Sequence, residues 1–108
     1  MFEKYNIDSG IGLKRFLEDA GLQIERVSGI EGSQNVIHIK GFTTFNWKSR
    51  EKLVRINCKE PTKNLIESKT DLKHFDNGKG DFKTHPFSFF VDTLSDLVDV
   101  VYILKKYL

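Results

Sequence analysis

The chain has 108 residues, of which 39% are hydrophobic, 30% charged and 12% aromatic. This length is typical of one domain, and the composition is that of a globular protein, which excludes an intrinsically disordered chain. The formal net charge of +2 is nearly balanced, so the overall charge alone implies no polyanionic partner.

The cysteine content and the apolar segments of the chain indicate the cellular compartment. Cys58 is the only cysteine, so no disulfide can form within the chain. The N-terminal sequence MFEKYNIDSG shows no basic segment followed by an apolar run, as a secretion signal would. The apolar stretch LVDVVYIL near the C-terminus is too short to span a bilayer. We therefore expect a soluble, cytoplasmic protein with no membrane segment.

A first helix is predicted after Ser9, which can cap its N-terminus. Gly21 fits the left-handed position just past its end, where Leu22 can fold back on the last turn. Between these signals, apolar residues follow the spacing of one helix face: Leu13, Phe16, Leu17 and Ala20.

Three β-strands are predicted next. Residues 22–30 and 36–45 flank the turn-forming segment 31–35, which is the pattern of a hairpin. Residues 46–51 are polar and are predicted to be a loop. Residues 52–59 alternate, with Val54, Ile56 and Cys58 on one face, and Pro61 ends this strand because proline cannot donate to a sheet ladder.

The C-terminal part is predicted to contain a fourth strand and a second helix. Residues 62–75 fit either a short helix or irregular chain, and the strand PFSFFV follows them. Thr93 and Asp96 then form a capping box for a helix over residues 94–108. Its predicted apolar stripe, broadened by three further residues, is Leu94, Leu97, Val98, Val100, Val101, Ile103, Leu104, Tyr107 and Leu108.

These elements predict the α+β class. Residues 1–108 form one domain in the order α-β-β-β-(α)-β-α, with a mainly antiparallel sheet of about four strands. Because the strands are consecutive and the helices lie at the two ends, the helices are expected to pack on one face of the sheet.

Residues 40–59 form the strongest candidate binding site, with six basic residues against Glu51 and with interleaved aromatic rings. Cations beside aromatic rings are typical of sites for single-stranded nucleic acid. Two alternatives stay open: the charges could attract an acidic protein surface, or Phe42 and Phe45 could be core residues while the cations are solvated. The predicted contacts are Lys40, Trp47, Lys48, Arg50, Lys52 and Arg55.

Residues 74–85 contain a candidate metal site, whose four side chains could bind a divalent ion although their spacing matches no standard ligand pattern. Two acid-x-lysine pairs, Asp71 with Lys73 and Asp81 with Lys83, have a spacing found in metal-dependent nucleases. The alternative is a solvated loop in which NGKG makes turns; it leads into a strand, so it is not a phosphate-binding loop. The four candidate ligands are His74, Asp76, Asp81 and His85.

The strands VIHIKGF and KLVRINCK, the turn FDNGKGDF, the aromatic strand and the terminal DTLSDLVDVVYILKKYL together resemble a known family. It is a small uncharacterised domain, sometimes labelled a predicted transport protein, that occurs alone or attached to bacterial restriction and endonuclease-related proteins. The resemblance covers residues 36–108. It departs from the family where Phe75 replaces a Trp or Tyr and where KTHP lengthens the run into the strand. It implies a nucleic-acid-associated or host-defence setting and no catalytic residues.

Three functions are compatible with these residues. The first is a non-enzymatic module that binds nucleic acid, or a protein of nucleic-acid metabolism, through residues 40–59. The second is an accessory or inhibitor protein of phage or mobile-element origin that acts by protein–protein contact. The third is a metal-dependent hydrolase or nuclease. No cofactor is predicted, a binding role is favoured over an enzymatic one, and residues 94–108 could mediate a homodimer.

Overall fold

The computed structural model describes residues 7–28, 36–41, 43–76 and 84–107. Six strands form one antiparallel sheet in the order β1-β2-β3-β4-β6-β5. The elements are α1 (Gly10–Asp19), β1 (Ile24–Ser28), β2 (Val36–Ile39), β3 (Thr43–Lys48), β4 (Leu53–Cys58), α2 (Glu60–Lys69), β5 (Phe75–Asp76), β6 (Phe87–Val91) and α3 (Leu94–Tyr107). The α+β class is confirmed, but the sheet has more strands than the four that the sequence predicts.

The additional strands have local causes. The predicted strand 36–45 is two strands, because the chain turns at Lys40 and Gly41, where Gly41 has a φ of 92°. β3 then continues to Lys48, so the predicted loop at 46–51 is wrong over residues 46–48. β5 contains only two residues, which is too short for an alternating pattern to be visible in the sequence. The predicted turn at 31–35 lies outside the described residues.

Helix α1 begins and ends where the sequence predicts. The Ser9 hydroxyl accepts a hydrogen bond from the backbone N–H of Gly12 at 3.1 Å. Gly21 has a φ of 91°, and the N–H of Leu22 donates to the carbonyl of Leu17 at 3.1 Å. This bond closes a Schellman motif, so the helix has a defined cap at both ends.

Helix α2 resolves the ambiguity over residues 62–75. The chain is helical from Glu60 to Lys69, with Pro61 in the first turn, where a missing N–H costs no helical hydrogen bond. Pro61 therefore both ends β4 and starts this helix.

Helix α3 confirms part of its predicted apolar stripe. The N–H of Asp96 donates to the Thr93 hydroxyl at 3.2 Å, so Thr93 is the N-cap. Val98 and Tyr107, which were expected on the buried side, are instead exposed, and Leu108 lies outside the described residues. The stripe residues that are buried are Leu97, Val100, Val101, Ile103 and Leu104.

The hydrophobic core lies between the helices and one face of the sheet. Alternate residues of the central strands, such as Phe45, Ile56 and Phe89, point into it and are fully buried. Helices α1 and α3 bury Leu17 and Leu104 in the same cluster, and α2 adds Ile66. None of the described residues on the opposite face belongs to this cluster, and none of the described helices packs on that face. We call this surface the helix-free face.

Candidate functional site

Trp47, the aromatic residue predicted as a contact, belongs to the core. Trp47 lies on the core face of β3, opposite Val54, and only 4% of it is exposed. Phe45 is also buried, as one of the sequence-based alternatives expected, and Phe42 lies outside the described residues. The Trp47 ring therefore offers no open face on which a base could stack.

Four of the five predicted cations separate into two groups at opposite ends of β3, and the fifth, Arg55, lies within β4 opposite Asn46. Lys48, Arg50 and Lys52 lie at the β3–β4 connection, which we call the basic hairpin. Lys40 follows β2 and lies beyond the other end of β3, roughly 17 Å away along a six-residue strand. Within the described part of the chain, no carboxylate forms a salt bridge with the three residues of the basic hairpin.

A row of directly opposed residues crosses the helix-free face. Each strand contributes one member, in the order Arg26, His38, Thr44, Asn57, Ser88 and Phe75. Directly opposed side chains in neighbouring antiparallel strands lie about 5 Å apart, so the row is continuous.

The middle of this row is a buried hydrogen-bonded network. Asn57 is 1% exposed, and its amide donates to the Thr44 hydroxyl at 3.0 Å. The Ser88 hydroxyl donates to the amide oxygen of Asn57, and Nε of Arg55 donates to the same oxygen at 3.0 Å. Because these polar groups bond to one another, the network forms a fixed platform between the two ends of the row.

One end of the row carries a cation–aromatic cluster formed by Arg55, Phe75 and Phe90. The two rings are stacked with centroids 4.5 Å apart and an interplanar angle of 25°. The Arg55 guanidinium carbon lies 5.5 Å from the Phe75 ring centre and 5.7 Å from that of Phe90. Phe90 is 46% exposed, so this cluster presents an accessible aromatic surface with a cation beside it.

The exposure of Phe90 was not predicted, although the sequence contains the signal for it. The alternation of PFSFFV places Phe87, Phe89 and Val91 on the core face, which leaves Phe90 on the opposite face of the sheet. Its neighbour Phe75 could not be found this way, because β5 is too short to show a pattern.

The predicted metal ligands are only partly brought together. Nδ1 of His74 lies 2.7 Å from a Glu67 carboxylate oxygen, and Nε2 lies 3.8 Å from Asp76. His85 instead contacts the Thr84 hydroxyl through Nδ1 at 2.8 Å, and Asp81 lies outside the described residues. In the ranges that the structure describes, no three His, Cys, Asp or Glu side chains are grouped to hold a metal ion.

Of the two acid-x-lysine pairs, one lies in the part of the chain that the structure describes. Asp71 and Lys73 are both exposed on the segment between α2 and β5. Asp81 and Lys83 lie outside the described residues. The described segments therefore supply no assembled nuclease centre to which these pairs could belong.

Cys58 is a buried thiol at the end of β4, as its alternation with Val54 and Ile56 predicts. Burial raises its pKa to about 12, so the nucleophilic thiolate is disfavoured at neutral pH. Cys58 is therefore a packing residue.

Comparisons of the chain with protein-family models, curated proteins and solved structures find no match. The resemblance drawn from residues 36–108 stays a prediction. The helices in the described ranges are all too short or too polar to cross a membrane. The predicted homodimer through residues 94–108 also stays a prediction; Tyr102, the most exposed apolar residue of α3 at 61%, would lie in such a contact.

Proposed function

We propose that this protein is a non-enzymatic module that binds single-stranded nucleic acid on the helix-free face of its sheet. In this proposal, bases stack on Phe90, and Lys48, Arg50 and Lys52 of the basic hairpin neutralise phosphates. The observation that carries the proposal is the exposed cation–aromatic cluster on a sheet face that no described helix covers.

The side chains on the helix-free face are arranged to make several contacts along one nucleic-acid single strand. Arg55 stands directly opposite Phe90 on β6 and opposite Asn46 on β3. Lys48 is two residues beyond Asn46 on the same face, so it is a diagonal neighbour of Arg55 at roughly 7–8 Å. Arg55 therefore places a cation beside the exposed ring of Phe90, and Lys48 is the next cation towards the basic hairpin. A cation beside an exposed aromatic ring is the recurring unit of single-strand sites.

A single strand fits this surface better than a duplex. Stacking on Phe90 requires a base whose flat face is exposed, and bases in a duplex already stack on each other. Catalysis has less support, because the polar groups of Asn57, Ser88 and Thr44 are used in bonds to one another.

The proposal is tested by measuring fluorescence anisotropy of labelled DNA and RNA single strands, with a duplex for comparison, over a range of salt concentrations. Lys48→Ala, Arg50→Ala and Lys52→Ala together should lower the salt slope of log K by about 2, since each single-strand phosphate contact contributes about 0.7. Phe90→Ala should weaken binding about tenfold or more, because stacking is worth about 1–3 kcal/mol per base.

The matched control removes three exposed cations from the helices instead, namely Arg15, Lys69 and Lys105. The net charge change is the same, so a general charge effect would weaken binding equally in both triple variants. If the basic-hairpin variant and this control bind equally well, or if wild-type protein binds no single strand, the proposal is wrong.

A further inference from the structure

A cavity of about 300 Å³ lies at the other end of the row, beside Arg26 and His38. It is located where β2 and β4 end and where β3 and β6 begin. We call it the histidine pocket. This volume is at the lower end of the range for small-ligand sites, roughly 300–1,000 Å³. Its lining residues are Glu25, Arg26, His38, Ile39, Thr43, Lys59, Thr84 and His85.

Basic groups from four separate parts of the chain converge on this pocket. Arg26 comes from β1, His38 from β2, Lys59 from the residue after β4, and His85 from the segment before β6. Among the lining residues that the structure describes, Glu25 is the one carboxylate. With both histidines neutral these described residues carry one net positive charge, and protonation of both would raise it to three.

A bulge in β1 brings charged side chains to the pocket. Ile24 pairs with Ile39 and Arg26 with His38, so β1 has one residue more than β2 between these pairs. The extra residue is Glu25, and it lines the pocket together with Arg26. Bulges redirect side chains in this way and are frequent next to functional sites.

The charged groups that line the pocket affect the pKa values of its two histidines. Burial, followed by the charge of Arg26, lowers the pKa of His38, while Glu25 acts in the opposite direction. Burial also lowers the pKa of His85, and the nearby His38 and Lys59 lower it further. Each histidine is therefore held back from protonation first by burial and then by other cations of the pocket, and an anion among these cations would relieve their repulsion.

We propose that the histidine pocket binds the phosphate group of a phosphomonoester. The permanent cations Arg26 and Lys59 supply the attraction, and His38 and His85 add charge-assisted hydrogen bonds when they are protonated. The hydroxyl of Thr84 holds the His85 ring through Nδ1 at 2.8 Å. The phosphate could be the end of a nucleic-acid strand or part of a small phosphorylated molecule, and the pocket proposal does not depend on which.

The pocket lies on the same row as the cation–aromatic cluster. His38 is opposite Thr44, and the row continues through Asn57 to Ser88, beside Phe75 and Phe90. If single strands bind the helix-free face, a strand with a terminal phosphate could occupy both ends of the row. If they do not, the pocket remains a site for a small phosphorylated molecule.

The first test uses inorganic sulfate, because its charge stays constant while the histidines titrate. NMR of the histidine rings should show saturable shifts of His38 and His85, with tighter sulfate binding at about pH 6 than at about pH 7.5. The pKa of both rings should rise when sulfate is bound, because the anion offsets the charge of Arg26 near His38 and the charge of Lys59 near His85. Glu25 is the one carboxylate among the described lining residues and its charge repels sulfate, so Glu25→Gln should strengthen sulfate binding.

Two variants test the residues directly. Arg26→Gln and His38→Gln should each weaken sulfate binding about tenfold, the effect of one charge-assisted hydrogen bond. Arg15→Gln is the matched control, since Arg15 is an exposed cation on α1 and does not line the histidine pocket. It should leave sulfate binding unchanged, and thermal unfolding of each variant reports whether the fold is intact.

The source of the phosphate is identified with three probes: a 5′-phosphorylated oligonucleotide, the same oligonucleotide with a 5′-hydroxyl, and a nucleoside 5′-monophosphate. Tighter binding of the phosphorylated strand, removed by Arg26→Gln, supports a strand end. Equal binding of the free monophosphate supports a small ligand. If neither sulfate nor any phosphorylated probe shifts the His38 and His85 rings, the pocket proposal is wrong, whether or not single strands bind the helix-free face.

Discussion

Phe75 and Phe90 stack on the helix-free face with ring centroids 4.5 Å apart, although β5 supplies one ring and β6 the other. Arg55 of β4 lies against both rings. β5 is only two residues long, so few backbone hydrogen bonds hold it to the sheet. The contact between the two rings therefore attaches this edge strand to β6 and also forms the exposed surface proposed to bind bases.

The stack should be measurable as a coupling free energy in unfolding. We expect Phe75→Ala and Phe90→Ala to be non-additive, with a coupling of about 0.5–1.5 kcal/mol, because aromatic pairs contribute this much beyond their buried area. Urea unfolding of both single variants and the double variant measures it. The control is the pair Phe75→Ala and Tyr102→Ala. Because Tyr102 lies on α3, on the other side of the sheet, the effects of these two substitutions on the free energy of unfolding should be additive. Additive effects for Phe75 and Phe90 would contradict a stabilising stack.

Gly21→Ala should destabilise the protein by about 1–2 kcal/mol, since a φ of 91° is unfavourable for any residue with a Cβ. The new Cβ would also lie 2.9 Å from Nζ of Lys105, on the last turn of α3. Thermal or urea unfolding measures the loss. The double variant Gly21→Ala with Lys105→Ala separates the two causes, because backbone strain persists when the lysine is removed. A wild-type stability for Gly21→Ala would show that the Schellman cap is not needed.

Cys58 should make the stability decrease in alkaline solution. The pKa of Cys58 is about 12 in the folded state and about 8.5 in the unfolded state. Its contribution to the free energy of unfolding is therefore complete below the unfolded pKa and is lost as the pH rises towards the folded pKa. The difference in unfolding free energy between wild type and Cys58→Ala should therefore become smaller between about pH 8 and about pH 10. Urea unfolding under reducing conditions measures this difference, and a constant difference would contradict the burial of the thiol.

Glu67 should contribute stability that disappears in acid. Its carboxylate accepts a hydrogen bond from the backbone N–H of His74 at 2.9 Å and lies 2.7 Å from Nδ1 of the ring. These hydrogen bonds lower the pKa of Glu67, so the contribution is present above the unfolded value of about 4.3 and is lost as the pH falls through the folded one. Glu67→Gln should be less stable than wild type at neutral pH but similar to it at low pH. Equal stability of Glu67→Gln and wild type at both neutral and low pH would show that the contact between Glu67 and His74 does not stabilise the protein.

The helix ends could be predicted from the sequence because their signals are local. The caps at Ser9, Gly21 and Thr93 each involve atoms within a few residues of one another. The inward residues of β4 and β6 were also predictable, since alternation in a strand needs no knowledge of its partner.

Trp47 shows where local reasoning failed. The polar composition of residues 46–51 indicated a loop, so the predicted strand ended at residue 45. The alternation that places Trp47 on the same face as Phe45 was therefore not used. The hydrogen bonds to β4 extend β3 to Lys48, and this pairing moves the ring into the core. Strand pairing across the β3–β4 turn thus overrode the polar composition.

The sequence by itself determined the α+β class, the helix caps and the apolar faces of the central strands, because each depends on the chemistry of neighbouring residues. Only the tertiary structure decided which face of the sheet has no helix and which side chains meet there. The row from Arg26 to Phe75 depends on the register of five strand pairs and on the placement of β6 beside β4. These contacts join residues far apart in the chain, and their geometry results from burying one face of the central strands against the same helices.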